Sequence, residues 1–324
     1  MLRALIVAAL LLPLGAGAAP ARDSGGVPVA FVAVETTSQV VAVDLTTKRV
    51  VDRIAVPAGP HNVATTGDLR YLLVTSPPSK SVTLLDSFTG RIVQTFGGFG
   101  RPLDVAVQGR HAFVTDGRSN FLVVIDLDFR AVGPRIVVPR RPQSVAVGDV
   151  ALVTHSPPNP YITIIDLGAP GPLRPSWRPR LAVAAERGAR DVVEQPDTAY
   201  AYVTGRRSGG VAAIDWGRGG VPRWWRRVGS RVEYVAFDYY HGRRLWVSDH
   251  ARGEVLALSS ETGRVLRRLP GCPGAGPIAF GGQVWIVATC RDASALAIWD
   301  TRTWKRTLVR VGASPHGVAV AVVP

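Results

Sequence analysis

A short apolar run ending in aspartate returns again and again along this chain. "VVAVD" closes at Asp44, "VTLLD" at Asp86, "LVVID" at Asp126, "ITIID" at Asp166, "VAAID" at Asp215 and "LAIWD" at Asp300. "VLALSS", running to Ser260, fills the remaining place, and the successive gaps are 42, 40, 40, 49, 45 and 40 residues. Seven copies at this period are the mark of small sheets repeated around an axis, each too small to bury its faces without its neighbours.

Two further phrases keep step with the first. One precedes it: "AFVAV" (30–34), "LLVTS" (72–76), "AFVTD" (112–116), "ALVTH" (151–155), "AYVTG" (201–205), "LWVSD" (245–249) and "WIVAT" (285–289). These β-branched and aromatic runs are bounded by Pro, Gly, Ser and Asp, as strands are. The other phrase follows the outermost strand: "GPHNVAT", "RPLDVAV", "RPQSVAV", "ARDVVEQ", "RVEYVAF", "GAGPIAF" and "SPHGVAV". Its small alternating residues suit a crowded innermost strand. After each terminal Asp comes a turn such as "DSFTGRI" or "SETGRV", where the acid can bind turn amides and Gly90 or Gly263 can take a positive φ. The seven Asp/Ser positions therefore read as structural, not catalytic.

The order P-H-G-V-A-V, Y-V-T, V-x-V-I-D, T-G-x-V resembles the YVTN-repeat β-propellers over essentially the whole chain after its leader, although no copy keeps the final Asn of that name. The resemblance implies that the phrases are strands A to D of a blade, counted from the axis outward. The expected fold is all-β, a seven-bladed β-propeller of four-stranded blades forming one domain over 28–324. On this reading the first blade lacks an inner strand, and the run from His316 to Val322 supplies it, closing the ring 1 + 3 and leaving no open edge.

The leader itself reads as a signal peptide over 1–18. Arg3 is followed by an apolar stretch from Ala4 to Leu14 and an Ala16-Gly17-Ala18 cleavage signal, and the stretch is too short to span a bilayer. A secreted or cell-envelope location is expected, with no transmembrane segment. Such a setting permits a disulfide between Cys272 and Cys290, worth about 3 kcal/mol in the chain-entropy model, with two free thiols as the alternative. At 47% hydrophobic and 19% charged residues the chain is globular and not disordered. Its net charge of +14 comes from 35 arginines but only three lysines, a ratio that coding bias explains as readily as a polyanionic partner does.

Chemical potential gathers where strand A begins, at the mouth of the central channel. Around the ring this column reads His316, His61, Leu103, Gln143, Asp191, Glu233 and Gly276. Two imidazoles with a carboxylate can hold a single divalent metal, and the candidate ligands are His61, His316 and Glu233. This resembles gluconolactonase-like hydrolases and streptogramin lyases, although their specific motifs do not occur here. The competing reading makes P-H-G a turn signature whose His serves the fold. Arg101, Arg141 and Arg231 on the same rim, with the histidines, form an arc for an anionic ligand, and salt pairing with Asp191 and Glu233 is the alternative. Asp116, His155, Asp249 and His250 are expected in solvated loops further out.

One stretch lies apart: "VPRWWRRVGSR" (221–231) interleaves Arg223, Arg226 and Arg227 with Trp224 and Trp225, as a stacking surface for bases or sugars does. Its place in the repeat is an outer strand, where Trp packs between blades and Arg blunts the edge. No P-loop, G-x-G-x-x-G, H-E-x-x-H, G-x-S-x-G or C-x-x-C-H occurs, which excludes the familiar nucleotide, zinc-protease, serine-hydrolase and haem-attachment chemistries. Three readings remain. The first is a monomeric binding scaffold for a small ligand, an envelope polymer or a protein. The second is a metal-dependent hydrolase or lyase, and the third a binder of polyanions or single-stranded nucleic acid.

Overall fold

The computed structural model describes residues 26–157, 161–167, 179–183 and 189–324. The leader lies outside the described residues. Seven four-stranded antiparallel sheets follow one another in chain order as the blades of a propeller. Blade two spans 62–96, three 102–137, four 142–183, five 189–227, six 232–270 and seven 275–310. Blade one takes three strands from 27–55, and Pro315–Val323 is its inner strand. That strand pairs antiparallel with Val27–Val34 from Val27↔Val323 to Val34↔Pro315, so the 1 + 3 closure read from the repeats is the one observed. Among the described residues the only helices are single 3-10 turns, Glu35–Thr37 and Arg291–Ala293.

Burial follows the position of each strand. The second and third strands are covered on both faces by neighbouring blades, so they read as continuous apolar runs instead of alternating ones; Ser81–Asp86 is buried throughout. Outer strands are solvated and bury about one anchor each, such as Ile54, Phe96, Ile136 or Leu269. The aspartates that close the third strands accept turn amides, as Asp44 does from Thr46 and Thr47 and Asp86 from Phe88 and Thr89.

The recurring Thr of the second strand joins one blade to the next. Every inner strand but that of blade two shifts register near its start, as between Pro102 and Val105, which frees one backbone N–H from the ladder. The Thr hydroxyl of the same blade takes that N–H and donates to the inner-strand carbonyl of the following blade. Thr75 accepts from Asn62 N (3.0 Å) and donates to Leu103 O (2.9 Å), and Thr204 accepts from Asp191 N (3.1 Å) and donates to Glu233 O (2.7 Å). Thr115 and Thr154 act alike, and Thr289 donates to His316 O. Blade one has Ala33 at this place, and Gly317 N instead donates directly to His61 O at 2.8 Å. Gly317 allows that approach, because a Cβ there would lie 2.6 Å from Asn62 Cα.

Cys272 and Cys290 form a disulfide. It ties the segment entering the inner strand of blade seven to the end of that blade's second strand.

Candidate functional site

The register shift turns consecutive inner-strand residues toward the channel, which creates two rings of side chains. The outer ring holds His61, Leu103, Gln143, Arg190, Glu233, Gly276 and His316, and the ring beneath it Asn62, Asp104, Ser144, Asp191, Tyr234, Pro277 and Gly317. Asp191 was expected beside Gln143 in the outer ring, yet it lies one step deeper. Ala189 pairs with Gly205 as Pro142 pairs with His155, so Arg190 is the residue level with Gln143. The phrase "ARDVV" lacks the proline that marks the strand start in "RPLDV" and "RPQSV", and the register slipped by one for want of it.

The direct bond from Gly317 to His61 brings the two histidines face to face, with ring centroids 3.7 Å apart. His61 Nδ1 lies 2.8 Å from Glu35 Oε1, and Glu35 also meets Arg291 at 3.0 Å. Burial alone would raise the Glu35 carboxyl, but its bond to His61 and the charges of His61 and Arg291 hold it below the ordinary value. His316 Nε2 lies 3.1 Å from the Tyr234 hydroxyl, while its Nδ1 is buried with no hydrogen-bond partner among the described residues. Burial, then the charges of His61, Arg190 and Arg291, pushes His316 well below its usual value and keeps it neutral.

The carboxylate that joins the two histidines is therefore Glu35, and its ligand atom lies within 4.8 Å of theirs. Glu233, the expected third ligand, is engaged elsewhere: Arg231 lies 2.5 Å and Arg206 2.9 Å from its Oε1, and Arg190 4.0 Å from its Oε2. Glu35 belongs to the short turn after the second strand of blade one. The signal that could have found it is positional, since those loops converge on the mouth. Gly276 does not simply leave room for a ligand, because a Cβ there would meet the Thr289 hydroxyl at 2.4 Å.

Two loop acids expected in solvent are fully buried. Asp116 accepts from the amides of Gly100 and Arg101, both at 2.7 Å, and Asp249 from Ser230 and Arg231 at 2.7 and 3.1 Å. They fix the segments that carry Arg101 and Arg231 to the rim. His155 is also buried, bonded to Thr163 and pushed down to about 4 by burial.

The mouth opens into a cavity of about 1140 Å³. Eight arginines reach it: Arg101, Arg118 and Arg141 on one side, Arg190, Arg206, Arg207 and Arg231 on another, and Arg291 beside Glu35. His61, His250 and His316 join them, against only two carboxylates, Glu233 and Asp292. Among the described residues Arg101, Arg118 and Arg207 have no ion-pair partner. A narrower space of about 140 Å³ continues below, lined by residues of the second ring.

The Arg/Trp run forms the outer strand Val221–Arg227 of blade five. Trp224 is buried between blades, its Nε1 donating to Ser260 O at 3.2 Å, so it offers no face for stacking. Trp225 is exposed, flanked by Arg226 and Arg227, while Arg223 lies over the Tyr200 ring at 4.1 Å.

No family model matches the chain, and no curated protein sequence does. Among solved structures it is similar to a functionally unknown protein from Desulfotomaculum acetoxidans DSM 771, with TM-score 0.77 and 12% identity over 91% of this chain and 99% of that one. It is also similar to apo AztD from Citrobacter koseri, with TM-score 0.69 and 10% identity over 91% and 98% of the two chains. The dihydro-heme d1 dehydrogenase NirN is a third, with TM-score 0.64, 16% identity and 90% and 74% coverage. At such identities the likeness is one of fold: the chain is a seven-bladed β-propeller with a basic channel mouth.

Proposed function

We propose that this is an exported binding protein that captures an anionic ligand at the channel mouth. The observation that carries the reading is the imbalance of eight arginines against two carboxylates around one concavity. Guanidinium groups without carboxylate partners are suited to bidentate recognition of carboxylate, phosphate or sulfate. The concave shape favours a compact ligand, and the buried Trp224 weakens the case for a nucleic-acid rim on blade five. The repeated phrases and the leader support a place among exported YVTN-repeat propellers, free in the cell envelope or outside it. The disulfide agrees with that location, and among the described residues no helix is long and apolar enough to cross a membrane. The likeness to NirN, whose structure holds DHE, is compatible with ligand capture on this fold.

Calorimetric titration with sulfate, citrate and a neutral disaccharide tests the reading. The two anions should bind, with affinity falling as salt rises. Arg118→Ala combined with Arg207→Ala should weaken them at least about tenfold, roughly one lost charge-assisted contact. Equal binding of the neutral sugar, or no effect of the variant, refutes an anion site.

A divalent metal at the edge of the same mouth is a second reading, favoured by the unpartnered, buried Nδ1 of His316 beside Glu35 and His61. Three protein ligands would leave an open position for an anionic ligand. Metal content of the purified protein, measured beside Glu35→Gln, decides it: near one equivalent in the first and loss in the second supports the site, and none in either removes it.

A further inference from the structure

Beneath the basic mouth two carboxyl groups meet on one hydroxyl. Ser144 Oγ lies 2.6 Å from Asp104 Oδ2 and 2.6 Å from Asp191 Oδ1. A serine hydroxyl has a single hydrogen to give. It can satisfy one carboxylate, and the second contact then requires a hydrogen on the other carboxyl. The remaining bonds indicate which one. Asp104 already accepts from Val105 N and Val145 N, both at 2.9 Å, and from the Asn62 side-chain amide. Asp191 Oδ2 accepts from Val235 N at 3.0 Å, and among the described residues its Oδ1 meets only Ser144. The proton therefore sits on Asp191 Oδ1 and is donated to Ser144, which donates in turn to an ionised Asp104.

We infer that Asp104, Ser144 and Asp191 form a site for one exchangeable proton, and that its occupancy is coupled to anion capture at the mouth. The inference rests on the anion reading above and deepens it. The link is Arg190, which lines both the mouth and the narrower space below, with Nη2 2.5 Å from the Tyr234 hydroxyl. Burial opposes the charge of Arg190, and Tyr234, Asp191, Glu233 and Asp104 together more than offset it. With the proton in place, one fewer negative charge lies under the mouth, and Arg190 is freer to act on a ligand. When the proton leaves for solvent, both carboxylates are ionised and the field above them weakens. Proton and anion thus favour each other's binding, and the coupling is reciprocal. Burial, reinforced by the Asp104 charge, pushes Asp191 up to about 6, which places the change in the working range of an exported protein.

Other groups face the same space: His61 and His316 from the neighbouring inner strands, and Glu233 and Tyr234 from blade six. They share the space with the cluster, so the test must separate them from it. Sulfate is the probe, because it stays fully ionised from pH 5 to 8. Wild-type protein should bind it about tenfold more weakly at pH 8 than at pH 5, the equivalent of a one-unit shift. Asp191→Asn, whose amide donates to Ser144 as the protonated acid does, should keep most of its pH 5 affinity at pH 8. Superimposable profiles for the two proteins overturn the coupling. Infrared titration reads the proton directly once Glu194, a second carboxyl pushed up to about 7 chiefly by burial, is replaced by Glu194→Gln: a protonated-carboxyl band should be present at pH 5, be lost on raising the pH, and be missing when Asp191→Asn is added. Its absence before Asp191→Asn is added overturns the proton site even if the double variant fails to fold. If sulfate binds at no pH, the anion reading and with it the coupling fail, while the infrared band still decides where the proton is.

Discussion

Between about pH 4 and pH 6 the folded chain keeps a proton on Asp191 that the unfolded chain has given up, since the carboxyl moves from 3.8 to about 6 on folding. The group is then more stable folded at low pH, and this contribution is lost as pH rises through its folded value. Asp191→Asn should therefore raise the melting temperature above wild type at pH 8 by about 2–4 °C for each kcal/mol recovered, and by well under half as much at pH 4.5. Thermal melts at the two pH values check this, and equal displacement at both would show that the proton is not on this residue. Asp191 was visible in the sequence as a channel acid, but its depth was not. Only the pairing of Ala189 with Gly205 reveals that Arg190 lies level with Gln143. Glu35 and Tyr234 were missed for a related reason: one lies in a loop outside the repeat phrases, and the other is turned inward by a register shift that no periodicity records.

Strands of one blade are held by their ladders, but blades are held to one another by apolar faces and a few hydroxyls. Thr204 serves both the Asp191 amide and the Glu233 carbonyl, so Thr204→Val keeps the shape and leaves two polar groups without partners. The expected cost is about 1–3 kcal/mol, read as a lower midpoint in urea unfolding. An unchanged midpoint would mean that the junction is carried by apolar contact alone. The Thr was plain in the phrase Y-V-T, as were the turn aspartates and the buried second and third strands. What it bonds to was not, because its partner lies on the next blade some 29 residues further along. The outer-strand position of Trp224 was legible for the opposite reason, since alignment with the other repeats fixes a strand's place in the blade even when its composition suggests a ligand surface.

Taken as a ring, the molecule depends on Pro315–Val323, which pairs with Val27–Val34 and also carries His316. Removing residues 313–324 exposes the edge of blade one and withdraws half of the histidine pair. The truncated chain should unfold at lower temperature or self-associate through that edge, as melting and light scattering would report. A monomer with wild-type melting would contradict closure as the source of stability. Ring size and closure were readable because each repeat repeats the same instruction. The basic mouth was readable only in part, as the arc of Arg101, Arg141 and Arg231; Arg118, Arg190, Arg206, Arg207 and Arg291 lie outside that column and converge only through the circular arrangement.

The order in which the chain is made gives that closure a second meaning. His316 is polymerised more than 250 residues after its ring partner His61, and it reaches it only when the final strand docks. A chain interrupted before Pro315, by early termination or by a protease, carries every arginine of the mouth and still presents no finished rim. If the mouth captures an anion as proposed, that capture would double as a readout of integrity, confined to molecules whose synthesis has run past the last blade.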